Sequence, residues 1–268
     1  MTDSDGRHDA LLHGDLTLLG RIRSASNATF LCDAGPDGEP VHCVYKPITG
    51  EQPLWDFPDG TLAGRELAAF LVSEALGWDI VPHTIIREGP AGPGMVQLWV
   101  EQPGDSGGDS RPDLVDLCPP DNVPAGYLSV LRAYDGTGSE VELVHADDPG
   151  LRRMAVFDVI VNNADRKGGH ILSGVDGRVY GVDHGVSLHV QDKLRTVLWG
   201  WAGSTIDDET LCAVEELQRL LAGPLGERLR ENITDTEFDA LSARARTLLD
   251  NPLMPSPERR QALPWPAF

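Results

Sequence analysis

The segment from Asp148 to Gly185 constrains the fold of this chain more than any other. It reads DPGLRRMAVFDVIVNNADRKGGHILSGVDGRVYGVDHG, and the apolar residues of its first part recur at helical spacing. An aspartate followed by proline is a common helix start, and two short apolar runs further on flank a Val-Asp-Gly turn. The charged residues between the predicted helix and the predicted hairpin are therefore expected to be held rigidly, as a functional site requires.

The part of the chain before this segment is predicted to be rich in strands. Apolar residues alternate from Leu16 to Phe30 as in a hairpin, a third strand ends at Pro47, and a helix closes at Gly77. Two further strands joined by a Gly/Pro turn follow. Residues 1–13 are polar and are predicted to fray.

The rest of the chain is predicted to be rich in helices. Amphipathic helices are predicted near 208–222 and 234–249, whereas residues 112–148 show no clear pattern. The stretch PGDSGGDSRPD marks a loop or hinge. We therefore predict an α+β fold in two lobes, with a β-rich lobe over 1–103 and a helix-rich lobe over 104–268.

Four charged residues, taken in chain order, match a known mechanism. Lys46 ends a strand, Glu66 lies on the following helix, Asp165 begins the loop after the central helix, and Asp183 follows a strand. Phosphoryl transfer from ATP needs a cation on the phosphates, an anion that holds this cation, a carboxylate near the attacking hydroxyl and an oxygen ligand for magnesium. Protein-kinase-like folds supply these groups in this order. Each residue alone has a commoner structural explanation, so the prediction depends on the ordered set.

Several motifs around these residues occur in the order found in one enzyme family. They are VYKP, GMVQLWVE, FDVIVNNADRKGGHILSG, YGVDHGVSLH and LWGWA. This set resembles the phosphatidylinositol 3-/4-kinase-like enzymes, especially the type II phosphatidylinositol 4-kinases, and looks like an uncharacterised actinobacterial branch of them. The resemblance runs from about residue 18 to 203. It implies a two-lobed protein-kinase-like fold with ATP and Mg²⁺, or Mn²⁺, as cofactors.

The resemblance also implies a role for each residue. Lys46 would contact the ATP phosphates, Glu66 would pair with it, and Asp165 would orient or deprotonate the acceptor hydroxyl. Asp183 and His170 would hold the metal ion. Further nucleotide contacts would come from Ser24, Ser26 and Asn27 at the phosphates and from Gln97, Leu98, Trp99, Val100 and Glu101 at the adenine.

Two features depart from the family pattern and leave alternatives open. His170 stands where the family has a metal-binding Asn, and imidazole suits manganese or zinc better than magnesium. The phosphate loop SASN has no glycines. One alternative is a catalytically weak nucleotide-binding pseudokinase. Another is a metal-dependent hydrolase, which would use the cluster His170, Asp183, His184 and His189. Arg166 and Lys167 either contact phosphate or only solvate the loop.

The composition excludes some classes of partner. The net charge is −20, from 22 basic and 42 acidic residues, and this disfavours nucleic acid, whose phosphates need clustered basic residues. No stretch is long and apolar enough for a membrane span, and the beginning of the chain does not resemble a signal peptide. We therefore expect a cytoplasmic protein without membrane insertion. The acceptor stays open among a protein Ser/Thr, a soluble polyol and an inositol-type lipid.

Overall fold

The computed structural model describes residues 3–22, 25, 27–35, 40–58, 61–103, 113–258 and 261–268, with side chains from residue 6 onward. The strands in these ranges are β1 (Leu16–Arg21), β2 (Phe30–Ala34), β3 (Val41–Pro47), β4 (Thr84–Gly89), β5 (Gly92–Leu98), β6 (Val115–Cys118), β7 (Tyr127–Tyr134), β8 (Glu140–Ala146), β9 (Ile171–Ser173) and β10 (Val179–Gly181). The helices are α1 (Asp3–His13), α2 (Leu62–Leu76), α3 (Pro149–Val161), α4 (Asp208–Leu221), α5 (Pro224–Arg230) and α6 (Asp235–Asp250).

The first lobe is built on an antiparallel sheet in the order β1-β2-β3-β5-β4. The predicted hairpin and the next three predicted strands are all present in it. Tyr45 and Cys43 of β3 are fully buried against Val96 of β5. Because successive side chains of a strand point to opposite faces, Lys46 points away from this core.

Helix α1 shows that the prediction of a frayed start was wrong. Its Leu11 is fully buried against the sheet, and the guanidinium of Arg87 donates to the carbonyls of Leu11 and Gly14 at 2.7 and 2.9 Å. An apolar side chain and a cation that binds carbonyls at its last turn thus help to dock an otherwise polar helix.

Helix α2 lies between the sheet and the helices of the second lobe. The hydroxyl of Thr61 accepts a hydrogen bond from Gly64 N at its start, and Gly77, with a φ of 66°, ends it in the left-handed conformation. Phe70, Leu71 and their neighbours belong to the same apolar core as the helices that follow. Charged residues on the remaining face of α2 are thereby buried at the junction of the lobes.

The second lobe contains the helix–loop–hairpin unit that the sequence predicts. The Asp148 carboxylate caps α3 by accepting from Gly150 N and Leu151 N, and Asn162, with a φ of 54°, ends it. Strands β9 and β10 pair around the Val-Asp-Gly turn. Trp199 and Trp201 are buried in the core.

Two elements of this lobe were not predicted. Helix α5 follows the predicted helix α4, and residues 112–148, which show no clear sequence pattern, contain a sheet in the order β6-β8-β7. A β-rich lobe, a connecting helix and a helix-rich lobe that carries the loop between a helix and a hairpin make a two-lobed protein-kinase-like fold.

Candidate active site

One cavity between the lobes brings the predicted catalytic and metal-binding residues together. Its volume is about 340 Å³. The lining residues used below are Asn27, Lys46, Glu51, Gln52, Glu66, Asp165, Lys167, His170 and Asp183. Ser24 and Ser26 lie outside the described residues, so their contact with phosphate stays a prediction. We call residues 165–170, which include the predicted catalytic aspartate, the catalytic loop. We call residues 182–185, which include a predicted metal ligand, the metal loop.

Lys46 is held by two carboxylates from different parts of the fold. Its Nζ donates to Glu66 Oε1 at 2.9 Å and also contacts Asp183 Oδ1. Burial alone would lower the pKa of Lys46, but the two carboxylates outweigh this and raise the pKa above its ordinary value. The second oxygen of Glu66 accepts from the backbone N of His184 at 2.9 Å. This network joins β3 and α2 to the metal loop.

Asp165 opens the catalytic loop in a partly buried position. Its backbone N donates to Asn163 Oδ1 at 3.0 Å, and Lys167 Nζ lies 3.4 Å from its Oδ2. Burial raises the pKa of Asp165, and the charge of Lys167 opposes this shift. A carboxylate with a raised pKa is better suited to accept a proton from an acceptor hydroxyl. The sequence left the role of Lys167 open, and the structure places it on the cleft wall.

Two atoms that carry lone pairs, His170 Nε2 and Asp183 Oδ2, face each other in the cleft. His170 Nδ1 lies 2.9 Å from the carbonyl of Asp165, which can only accept, so Nδ1 carries the proton. Burial lowers the pKa of His170 to about 4, which leaves the ring neutral at neutral pH. The lone pair of Nε2 therefore faces Asp183 Oδ2 across 3.5 Å. Two such atoms are stabilised by a cation bound to both, and imidazole and carboxylate are common ligands of divalent metal ions.

Arg166 does not reach the cleft. Its side chain is fully buried, and it forms an ion pair with Asp158 of α3 at 2.9 Å. A contact of Arg166 with a bound phosphate is therefore not part of this arrangement. Asp158 lies on the buried face of the apolar helix α3. In the sequence, an acidic residue at a core position of this helix is the signal that indicates a buried ion pair.

The predicted adenine-binding residues are not part of this cavity. Gln97 is buried in the sheet and donates from Nε2 to Thr84 Oγ1 at 2.9 Å. Residues 98–101 line a separate cavity of about 660 Å³, together with residues of the loop before β4 and of the β9–β10 turn. Trp99 N donates to His42 O at 3.0 Å, and Glu101 O accepts from Val175 N at 2.9 Å. Contact of residues 97–101 with adenine stays a prediction.

A segment that sequence reasoning missed closes one side of the cleft. We call residues 51–58 the strap. The Glu51 carboxylate accepts from the backbone N of Leu62 and Ala63 at 3.0 and 2.8 Å, at the first turn of α2. Lys193 Nζ donates to the carbonyl of Asp56 at 2.9 Å and to its Oδ2 at 3.2 Å. The apolar residues of the strap show no helical or strand periodicity, so the sequence does not predict its position. Its position depends on the tertiary contact with Lys193.

The strap also contacts Asn27, which the sequence predicts to bind phosphate. Asn27 Oδ1 accepts from Gln52 N at 3.0 Å, so Asn27 is fixed beside the cleft by a strap residue. This contact places a predicted phosphate-binding residue at the wall that Lys46 also lines.

The histidines proposed for a hydrolase do not converge. His184 is fully buried with its Nε2 beside the guanidinium of Arg166, and His189 Nδ1 accepts from Gln191 N at 2.9 Å. Across the described ranges, no group of three or more His, Cys, Asp or Glu side chains is placed to hold a metal ion by itself. The hydrolase interpretation has no support in this geometry.

Comparison with known proteins gives one close relative. Protein Rv2133c of Mycobacterium tuberculosis is 64% identical over 271 residues, which cover 100% of this chain and 98% of that protein. The chain belongs to the family of this protein. No family model matches the chain.

Among solved structures, the crystal structure of a Helicobacter pylori proinflammatory kinase, CtkA, superposes with a TM-score of 0.40 and 11% identity, over 88% of this chain and 97% of that chain. At this level of likeness, the activity of that kinase is not transferred to this chain. Within the described part of the chain, none of the helices has the length and apolar composition needed to cross a membrane.

Proposed function

We propose that this chain is an ATP-dependent kinase that transfers the γ-phosphate to an alcohol group. The observation that carries the proposal is the position of Lys46, which contacts Glu66 and Asp183 in a cleft that Asp165 also lines. In protein kinases the lysine–glutamate pair and the metal-binding aspartate must both be in place for phosphoryl transfer. The resemblance to phosphatidylinositol 3-/4-kinase-like enzymes supports the same assignment.

The donor atoms of the cleft fit a divalent cation that a nucleotide would share. Asp183 supplies a carboxylate and His170 an unprotonated Nε2 that faces it. Phosphate oxygens would complete the coordination, because Mg²⁺ in kinases is bound by few protein ligands and by the substrate phosphates. A Mg²⁺ or Mn²⁺ ion bound with ATP would neutralise charge on the transferred phosphoryl group.

The residues of the chain then have separate tasks. Asp183 would hold the divalent cation, Lys46 would bind phosphate oxygens, and Glu66 would keep the Lys46 ammonium in position. Asp165 would orient the acceptor hydroxyl and take its proton as the bond between the hydroxyl oxygen and the γ-phosphorus forms. The bond between the γ-phosphorus and the β–γ bridging oxygen breaks in the same step, and ADP leaves with that oxygen. Lys167, whose Nζ lies 3.4 Å from Asp165 Oδ2, would bind the transferred phosphoryl group. The two lysine side chains are needed at this site because the chain as a whole carries a net charge of −20, which disfavours the binding of a polyphosphate.

The acceptor is proposed to be a protein Ser/Thr hydroxyl or an inositol-type alcohol, free or in a lipid. The family resemblance favours an inositol-type acceptor. The acidic surface disfavours prolonged residence on anionic lipid and therefore favours a protein or a soluble polyol.

The decisive experiment incubates the purified chain with γ-labelled ATP and either Mg²⁺ or Mn²⁺, and follows label on the chain, on added proteins and on inositol compounds. Asp165→Asn and Asp183→Asn are expected to abolish transfer, whereas Asp116→Asn, an exposed aspartate of β6, is the matched control. Asp165→Asn is expected to leave nucleotide binding intact, and Asp183→Asn to weaken it.

A pseudokinase would give a different result in the same experiment. The parent chain would then show a thermal shift with ATP and Mn²⁺ but no transfer to any acceptor. That outcome would refute the proposed kinase activity and retain nucleotide binding. The replacement of the family's metal-binding Asn by His170 is the feature that favours this second candidate.

A further inference from the structure

Arg166 contacts both flanks of Asp183, although it belongs to the catalytic loop. Its Nη1 donates to the carbonyl of Val182 at 3.1 Å, and its Nη2 lies 2.6 Å from His184 Nε2. The same Nη1 also donates to the carbonyl of His170 at 3.2 Å. One guanidinium thus touches the residues before and after the metal-binding aspartate and the backbone of the second candidate ligand.

The guanidinium itself is fixed from the opposite side. Both Arg166 and Asp158 are fully buried, and Nε and Nη2 of Arg166 donate to the Asp158 carboxylate at 2.9 to 3.1 Å. A Cβ at Gly181 would lie 3.0 to 3.2 Å from the Arg166 guanidinium, so the hairpin packs closely over it. A planar, always charged group in such a site holds several acceptors at defined positions.

Asp183 needs this kind of support because its backbone is strained. Its φ is 59°, in the left-handed region that non-glycine residues seldom adopt. Such a conformation persists only where the surrounding structure enforces it. The two residues that flank Asp183 are both held by Arg166, which supplies this constraint on one side, and Glu66 holds His184 N on the other.

The imidazole of His184 is oriented to accept a hydrogen bond from Arg166. A guanidinium only donates, so His184 Nε2 is the acceptor and Nδ1 carries the hydrogen. In the described part of the chain, this buried Nδ1 has no hydrogen-bond partner. A leucine at this position would avoid the cost of an unpaired buried donor, whereas the histidine provides the acceptor that Arg166 contacts.

We propose that Arg166 and His184 are positioning residues that couple the catalytic loop to the metal loop. They fix the strained backbone of Asp183 and the carbonyl of His170, and thereby set the distance between the two candidate metal ligands. This inference rests on the proposed nucleotide–metal site. Neither residue touches a substrate, so their effect on metal binding is separable from phosphoryl transfer.

The test titrates the purified chain with Mn²⁺ in the presence of saturating ADP and measures free Mn²⁺ by electron paramagnetic resonance. His184→Leu and Arg166→Lys are expected to weaken Mn²⁺ binding by about tenfold or more, as changes in residues that orient metal ligands do. His184→Gln keeps an oxygen acceptor toward Arg166 and is expected to recover most of the affinity. His145→Leu is the matched control, because His145 is a buried histidine whose Nε2 accepts from Gly200 N, away from the cleft.

The outcomes separate this inference from the proposed activity. Weakened Mn²⁺ binding in His184→Leu with recovery in His184→Gln supports the coupling, even if the parent chain transfers no phosphate. Equal Mn²⁺ affinity in the parent and in a folded His184→Leu variant would overturn it. The same weakening in His145→Leu would also overturn it, because the effect would then be a general loss of stability. Absence of Mn²⁺ binding in the parent chain would overturn both the coupling and the metal site.

Discussion

Glu66 Oε1 accepts a 2.9 Å hydrogen bond from Lys46 Nζ, and only 4% of the Glu66 side chain is exposed. The other oxygen of this carboxylate binds the backbone of the metal loop. A single buried side chain therefore fixes the cation of β3 and the loop that carries Asp183. Helix α2 cannot move without disturbing both contacts.

Replacement of Glu66 by glutamine is expected to lower phosphate transfer by on the order of a hundredfold. Glutamine keeps the size of the side chain but removes the charge that holds Lys46, so the ammonium would pair with Asp183 alone. Steady-state kinetics with ATP as the varied substrate would measure this. Glu215→Gln, at an exposed position of α4 away from both cavities, is the control and is expected to match the parent chain. Parent-like kinetics in Glu66→Gln would refute the role of the ion pair.

Replacement of His170 by asparagine is expected to change the metal preference. The neutral Nε2 of His170 favours manganese, whereas an amide oxygen favours magnesium. We expect the ratio of Mn²⁺-supported to Mg²⁺-supported transfer to fall by roughly tenfold. The measurement is the initial rate with each metal at saturating ATP. An unchanged ratio would show that His170 is not a metal ligand.

Release of the strap is expected to follow the replacement of Lys193 by methionine. Methionine keeps an apolar stem near Phe57, whose ring centre lies 4.9 Å from Lys193 Nζ, but loses the hydrogen bonds to Asp56. Without these hydrogen bonds, the free energy needed to open the strap locally should fall by about 1–2 kcal/mol. Amide hydrogen exchange in residues 51–58 should therefore be faster by roughly 5- to 30-fold. Lys193→Arg keeps a donor and is the control. Unchanged exchange in Lys193→Met would contradict the anchoring of the strap by this residue.

The parts of the fold that sequence predicted are those with local signals. Asp148 and Asn162 mark the ends of α3, and the alternation around Lys46 marks β3, because caps and periodicity depend on neighbours in the chain. The convergence of Lys46 and Asp183 was predicted from motif order alone. Sequence could not show which loop residues turn inward, since burial of Arg166 depends on a partner in another element.

Tertiary packing also explains the elements that sequence missed. Helix α1 is polar apart from a few residues, and its docking depends on Leu11 meeting side chains of strands that lie as far along the chain as Val96. The sheet β6-β8-β7 pairs its first strand with its third, so its strands are not joined by short hairpins alone. The strap depends on Lys193, far along the chain from Asp56. Local sequence patterns contain no signal for any of these contacts.

Acidification is expected to destabilise the fold through His83. This histidine stacks on His8 at 3.7 Å and packs edge-on against Phe70, and burial, with His8 adding to it, lowers the pKa of His83 to about 4. In the unfolded chain its pKa is about 6.5, so the unfolded state binds the proton first as the pH falls. Stability from this group is therefore full above about pH 6.5 and declines between about pH 6.5 and 4. The decline is expected to be about 1–2 kcal/mol, because solvent screens a ring that is only partly buried. Urea denaturation of the parent and His83→Phe at pH 7 and 4.5 measures the difference. The variant should lose less stability on acidification, because phenylalanine has no proton to bind, while the other buried histidines contribute equally to both proteins. An identical pH dependence in the two proteins would show that His83 does not destabilise the fold in acid.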